Sequence, residues 1–85
     1  MKIQLKFFAS IREKLACSSE VLELANTPYT AQEVRQLLIA RSAIWADALS
    51  LERPVRMACN HQMLVQDVAL KDGDELAFFP PVTGG

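Results

Sequence analysis

Few side chains in this sequence are of the types that perform chemistry, and they do not form a catalytic or metal-binding motif. His61 is the only histidine, Cys59 lies two residues before it, and Cys17 is distant in the chain. A Cys-x-His pair supplies two ligands, whereas a structural zinc site takes four. A nucleophile needs a base and a third group that orients the base. We therefore interpret Cys59 as a small buried side chain and His61 as a solvated turn residue, and expect neither a bound metal or cofactor nor catalysis by the chain alone.

The C-terminal segment is the part of the chain whose pattern indicates reactivity. Residues 78–85 read Phe-Phe-Pro-Pro-Val-Thr-Gly-Gly. The two prolines fix φ at about −65° and the β-branched pair after them favours extended backbone. Gly84 and Gly85 remove the last two Cβ atoms, so the segment ends as a narrow backbone with a carboxylate. Such an end suits insertion into a tunnel of another protein, whereas a merely frayed terminus is more often polar.

Composition bounds the class of protein. Eighty-five residues with a hydrophobic fraction of 51% predict one domain with a core. Nine basic and ten acidic residues are spread along the chain, which argues against nucleic acid as a partner. The apolar runs are too short to span a membrane, and Met1–Lys6 alternates, unlike a signal peptide. We expect a cytoplasmic protein with reduced cysteines.

Alternating apolar and polar residues predict the strands. Residues 2–8 place Ile3, Leu5 and Phe7 on a buried face and leave Phe8 on the polar side. Further strands are predicted over residues 20–24, 55–60, 63–65 and 75–79. In the last of these Phe78 faces inward and Phe79 outward.

The outward phenylalanines indicate a protein-binding surface. If the last strand lies parallel to the first, Phe8 and Phe79 meet beside the point where the C-terminal segment departs. Met63 extends this surface, and its flexible thioether suits more than one partner.

Helices are predicted between the strands. A short helix covers residues 9–16 with Ser10 near its cap, and Thr30 with Glu33 forms a capping box. Inward positions on the main helix are Val34, Leu37 and Leu38, with Arg41 at the edge of this stripe. Ser42 can cap a second helix carrying Trp45 as a core anchor, and residues 30–51 fit either one helix or two.

A tight turn is predicted at residues 71–74, with Gly73 at positive φ and solvated carboxylates at Asp72, Asp74 and Glu75. The element order, a hairpin, a crossing helix and further strands, predicts an α+β two-layer sandwich. We predict a domain over residues 1–79 and a flexible tail over residues 80–85.

The sequence resembles the small subunit of molybdopterin synthase, the MoaD-like branch of the ubiquitin-like β-grasp sulfur carriers. The resemblance covers the whole chain. It rests on the first strand ending Phe-Phe-Ala, Asn60, the Asp-Gly-Asp-Glu turn from Asp72 and the Phe78–Gly85 ending. Cys59 and residues 50–54 depart from the family pattern. The resemblance implies a β-grasp fold with a mixed sheet of four to five strands and the main helix across one face.

The resemblance also implies a mechanism. A MoeB-like enzyme uses ATP to adenylate Gly85, and a persulfide donor converts the acyl adenylate into a thiocarboxylate. The tail then enters the large, MoaE-like synthase subunit, where the sulfur attacks cyclic pyranopterin monophosphate. The implied partner-binding residues are Phe8, Met63, Phe79, Pro80, Pro81, Val82 and Thr83. The alternatives are a carrier for thiamine synthesis or tRNA thiolation, a ubiquitin-like modifier, and an interaction module with an inert tail.

Overall fold

The computed structural model describes residues 1–81, and residues 82–85 lie outside the described part. In chain order the elements are β1 (Lys2–Phe7), α1 (Ala9–Leu15), β2 (Ser19–Glu23), α2 (Ala31–Ile39), α3 (Ala43–Ala48), β3 (Arg56–Cys59), β4 (Gln62–Met63) and β5 (Glu75–Phe79). None of the helices in this part of the chain is long and apolar enough to cross a membrane. The predicted division into a domain at 1–79 and a tail at 80–85 stays a prediction.

The five strands form one mixed sheet in the order β2-β1-β5-β3-β4. β1 is antiparallel to β2 and parallel to β5, with Phe7 opposite Phe78 in the register. β3 is antiparallel to both β5 and β4. β5 is therefore the central strand, and its C-terminal end lies beside the C-terminal end of β1, as the sequence predicts.

The core lies between one face of this sheet and the helices. Alternation places every second side chain of a strand on that face, and Ile3, Leu5 and Phe7 are buried as predicted. The largest fully buried side chains are Phe7, Phe78, Ile3, Leu5, Leu38, Leu49, Leu76 and Val34. Burying each side chain of this size contributes about 1.5–3 kcal/mol, so the predicted two-layer α+β packing supplies the main stabilisation.

Side-chain caps fix where α2 and α3 begin. The Thr30 hydroxyl accepts a hydrogen bond from the Glu33 amide at 3.2 Å, and the Glu33 carboxylate accepts one from the Thr30 amide at 2.8 Å. The Ser42 hydroxyl accepts from the Trp45 amide at 3.4 Å, so this segment forms two helices rather than one. The prediction that Ser10 caps α1 is wrong: β1 runs directly into α1, and Phe8 occupies the N-cap position.

The buried face of α2 differs from the predicted stripe. Leu37, predicted to face inward, is 44% exposed, whereas Arg35 is only 5% exposed. The Arg35 guanidinium donates from Nε to the Leu49 carbonyl at 2.8 Å and from Nη2 to the Ser50 carbonyl at 2.6 Å. Burial lowers the pKa of Arg35. A guanidinium can occupy this site because its several N–H groups form hydrogen bonds with backbone carbonyls of the chain that follows α3.

Trp45 is a core anchor, as predicted. The edge of its ring meets Phe7, with 5.4 Å between the centroids and 78° between the planes. The Arg41 guanidinium lies 4.6 Å from the centroid of the indole ring and pairs with Glu20. This hydrogen bond from Arg41 lowers the pKa of Glu20. The pair ties the end of α2 to the edge strand β2.

Candidate functional site

Phe8 and Phe79 stack on the outer face of the sheet. Their ring centroids lie 4.6 Å apart and the ring planes differ by 3°. The parallel pairing of β1 with β5 creates this contact, because each residue follows one of the opposed pair Phe7 and Phe78. Phe8 is 39% exposed and Phe79 is half-buried. The juxtaposition predicted from strand alternation is confirmed; the docking role of the two rings stays a prediction.

Met63 lies on the same face, on the short edge strand β4. It pairs with Ala58 of β3 and is 45% exposed. We call Phe8, Met63 and Phe79 the apolar patch. A flexible thioether beside two stacked rings gives a surface that can adapt its shape to a partner.

Two hollows adjoin the apolar patch, and all three of its residues line both. The tail hollow, of about 610 Å³, is completed by Ala9, Arg56, Pro80 and Pro81. The sheet hollow, of about 530 Å³, extends across the strands to Glu75 and His61. Pro80 and Pro81 thus continue the patch toward the C-terminus. The predicted site residues Val82, Thr83, Gly84 and Gly85 lie outside the described residues.

The floor of the sheet hollow consists of two alanines that the sequence reasoning did not single out. Ala58 pairs with Ala77 across β3 and β5, and each is 4% exposed although both lie on the outer face. Lys6 and Met63 flank them in the same row of the sheet. Small side chains at the centre of the sheet leave room for a partner's side chain. The signal was present in the alternation, which placed Ala77 outward between Glu75 and Phe79.

A buried carboxylate fixes the start of β5. Asp74, predicted to be solvated, is 7% exposed, which corrects that prediction. Its carboxylate accepts hydrogen bonds from the Asn60 side chain at 3.0 Å and from the Lys71 amide at 2.8 Å. Asn60 also accepts from the Glu75 amide at 3.0 Å. Although burial opposes ionisation, the hydrogen bonds from Asn60 and Lys71 prevail and lower the pKa of Asp74.

Gly73 has a φ of 87° within this turn, as predicted. Asn60 and His61 also have positive φ, at 50° and 70°, where the chain reverses between β3 and β4. The network around Asp74 therefore connects the turn before β5 with the turn after β3, and so fixes the strands that carry Phe79 and Met63.

Cys59 and His61 lie in different surroundings. Burial raises the pKa of the Cys59 thiol, and the neighbouring Asp74 carboxylate raises it further, which disfavours the thiolate form. The His61 side chain is 84% exposed and its Nε2 lies 3.1 Å from Oε2 of Glu75. Within residues 1–81 no group of three potential metal ligands is found.

A mixed sheet with helices across one face, and an apolar patch where the central strand leads into a Gly-Gly ending, defines a small protein of the ubiquitin-like β-grasp class. Comparison with known families assigns the chain more narrowly than the fold class does. The model of the ThiS family matches residues 5–85, and the chain belongs to this family.

Curated relatives align along nearly the whole chain. The molybdopterin synthase sulfur carrier subunit of Escherichia coli is 44% identical, with 98% of this chain and 99% of that protein covered. The protein of the same name from Haemophilus influenzae is 39% identical, with 93% and 94% covered.

Solved structures share the fold over their full length. SAMP1 from Haloferax volcanii superposes with a TM-score of 0.79 at 23% identity, and both chains are covered completely. A chain from the complex of subunits 1 and 2 of the molybdopterin-converting factor of Helicobacter pylori has a TM-score of 0.67 at 27% identity, again with complete coverage. The first of these likenesses supports the β-grasp fold alone.

Proposed function

We propose that this protein is the sulfur carrier subunit of a molybdopterin synthase, with Gly85 as the reactive residue. The observation that supports the proposal is the stacked pair Phe8 and Phe79, an apolar surface at the end of the strand that leads into the Gly-Gly ending. The names of the E. coli and H. influenzae relatives support the same function. The chain is not an enzyme by itself but the sulfur-donating part of a two-subunit enzyme.

Activation of Gly85 begins at its carboxylate, which is a poor electrophile. A carboxylate oxygen attacks the α-phosphate of ATP on a MoeB-like enzyme, and pyrophosphate leaves. The terminal sulfur of a persulfide donor then attacks the acyl carbon and displaces AMP. A donor thiol cleaves the acyl disulfide formed, which leaves a thiocarboxylate on Gly85 and an oxidised donor. Gly84 contributes by having no side chain that would obstruct the entry of the C-terminus into a tunnel of the partner protein.

Transfer takes place in a complex with a large, MoaE-like subunit. The H. pylori structure, a complex of subunits 1 and 2 of the molybdopterin-converting factor, supports this partner. The apolar patch binds the large subunit, residues 80–83 lead the terminus into it, and the thiocarboxylate sulfur attacks cyclic pyranopterin monophosphate. The attack gives a thioester between Gly85 and the substrate, and water then cleaves the bond between the acyl carbon and sulfur, which leaves the sulfur on the substrate and returns Gly85 to a carboxylate. Two such transfers supply the two sulfur atoms of the dithiolene. The proposal includes a location of the protein in the cytoplasm, as predicted from the sequence.

The decisive experiment is intact-mass analysis of the chain after incubation with a MoeB-like enzyme, ATP and a persulfide donor. We expect the mass gain of one sulfur exchanged for one oxygen, located on Gly85 by fragmentation. The matched control is the chain lacking Gly85, which retains residues 1–84 and should show no gain. An unchanged mass, with an activating enzyme that modifies a known carrier, would contradict the proposal.

A second measurement separates this carrier from its alternatives. The thiocarboxylated chain is incubated with the large molybdopterin synthase subunit and cyclic pyranopterin monophosphate, and molybdopterin is measured. A carrier for thiamine synthesis or tRNA thiolation would gain sulfur but produce no molybdopterin. A protein modifier would instead form conjugates of raised mass with lysines of other proteins.

A further inference from the structure

Three basic side chains line the hollows beside the apolar patch. Lys6 and Arg12 line the sheet hollow, and Arg56 lines the tail hollow. The acidic side chain in these linings is Glu75, whose carboxylate lies against His61. The patch is therefore flanked by positive charge on both sides, although the whole chain has a net charge of −1.

Several basic residues elsewhere in the fold have partners, whereas Lys2 and Lys71, which line neither hollow, form no ion pair within residues 1–81. Asp47 pairs with both Lys14 and Arg53, and Arg41 pairs with Glu20. By contrast, no carboxylate of residues 1–81 forms an ion pair with Lys6, Arg12 or Arg56. We call these three residues the basic rim.

The positions of the basic rim follow from the sheet. Lys6 lies opposite Ala77 in the register and is half-buried, so its charge stands at the edge of the alanine floor. Arg56 lies opposite Phe79 and is exposed. A partner that covers the patch must also cover these charges. Covering a cation without a counter-charge is unfavourable, so we expect the partner to supply carboxylates.

We propose that the partner surface that binds the apolar patch is apolar at its centre and acidic on both sides, with carboxylates facing Lys6 and Arg12 on one side and Arg56 on the other. This inference rests on the proposed function, in which the partner is the large synthase subunit. The alanine floor and the stacked rings favour a protein over a nucleic acid, because a phosphate backbone gains nothing from an apolar floor. The charges of the basic rim accelerate association of the two proteins and orient the C-terminal tail toward its entry point in the large subunit.

The test measures association and dissociation rates of the full-length chain with the purified large subunit by stopped-flow or surface plasmon resonance. The variant carries Lys6→Glu, Arg12→Glu and Arg56→Glu, and a milder variant carries the three glutamine substitutions. At about 50 mM NaCl we expect the glutamate variant to associate roughly tenfold more slowly or worse, and at about 500 mM salt the difference should shrink severalfold.

Lys2→Glu is the control, and it is compared with the single substitution Lys6→Glu, because these two variants change the net charge by the same amount. Lys2 is exposed on the same face of β1 as Lys6 but lines neither hollow. We expect its association rate to stay within about twofold of the unmodified chain, since rim charges act over roughly one Debye length. Circular dichroism and urea unfolding check that each variant folds, and the glutamine variant replaces the glutamate one should the latter unfold.

Three other outcomes distinguish the role of the basic rim from the proposed function. Should the glutamate variant bind at the unmodified rate while Phe79→Ala loses binding, the basic rim is unimportant and the proposed function stands. Equal losses from Lys2→Glu and Lys6→Glu would show a general effect of net charge and overturn the proposal. No binding of the unmodified chain would overturn both this inference and the proposed function.

Discussion

Phe78 and Phe79 are neighbours in the chain, yet their rings lie on opposite faces of the sheet. Phe78 is fully buried and stacks on Phe7, with 5.6 Å between the ring centroids. Phe79 is half-buried and stacks on Phe8 on the outer face. One strand thus presents the same side chain once to the core and once to the outer face, so stability and the proposed binding can be tested separately by mutating adjacent positions.

Phe79→Ala should weaken binding to the large synthase subunit by roughly a hundredfold, as loss of a buried aromatic anchor does. Its free energy of unfolding should fall by only about 1 kcal/mol, the value of an aromatic stack. Phe78→Ala is the matched control and should lose about 3–5 kcal/mol of stability through a cavity in the core. Calorimetric titration and urea unfolding measure the two effects. Global unfolding of Phe79→Ala would show that its ring belongs to the core.

Asp74→Asn should destabilise the protein in a pH-dependent manner. The pKa of Asp74 is lowered in the folded state, so its contribution is complete above the unfolded value of about 3.9 and is lost as pH falls through the folded pKa. At neutral pH we expect a loss of about 1–3 kcal/mol, because an amide cannot accept both hydrogen bonds. The difference from the unmodified protein should shrink below about pH 4.

Asp72→Asn is the control for that experiment. The Asp72 carboxylate is exposed and accepts one hydrogen bond, from the Lys2 amide at 2.7 Å. We expect a smaller loss of stability at neutral pH than for Asp74→Asn. Urea unfolding across the acid range measures both variants. A pH-independent difference for Asp74→Asn would refute the assignment of a buried, ionised Asp74.

Arg35→Met should cost about 2–4 kcal/mol of stability, because the carbonyls of Leu49 and Ser50 lose their donor in a buried setting. Arg41→Met, which removes an exposed pair with Glu20, should cost no more than about 1 kcal/mol. Thermal unfolding compares the two variants. If Arg35→Met proved as stable as the unmodified chain, the guanidinium would not be required at this site.

Gly73→Ala should cost about 1 kcal/mol through backbone strain alone, since φ is 87° and no atom from outside Gly73 and its two chain neighbours lies within 4 Å of the position of a new Cβ. Gly73→Asn should cost less, because asparagine tolerates positive φ. Urea unfolding distinguishes them. Equal losses would mean that something other than φ limits this position.

The sequence predicts what depends on local pattern. Alternation in two strands placed Phe8 and Phe79 outward, and the capping signals at Thr30 and Ser42 located the helices. Burial that depends on contacts between segments distant in the sequence is not predicted. Arg35 is buried because the backbone after α3 passes close to it and accepts its hydrogen bond at the Leu49 carbonyl. Asp74 is buried because the side chain of Asn60 packs against it and donates a hydrogen bond to its carboxylate. Neither partner is close to its residue in sequence, so no local pattern reports the contact.

The central position of β5 has a consequence for synthesis. Within the sheet, the antiparallel pair of β1 and β2 is joined to the pair of β3 and β4 through residues 75–79. Since a chain is made from its N-terminus, both halves leave the ribosome before the strand that connects them. A chain interrupted before residue 75 therefore has neither a completed sheet nor the stack on Phe8. An unfinished chain therefore lacks the surface to which the proposed function assigns partner binding.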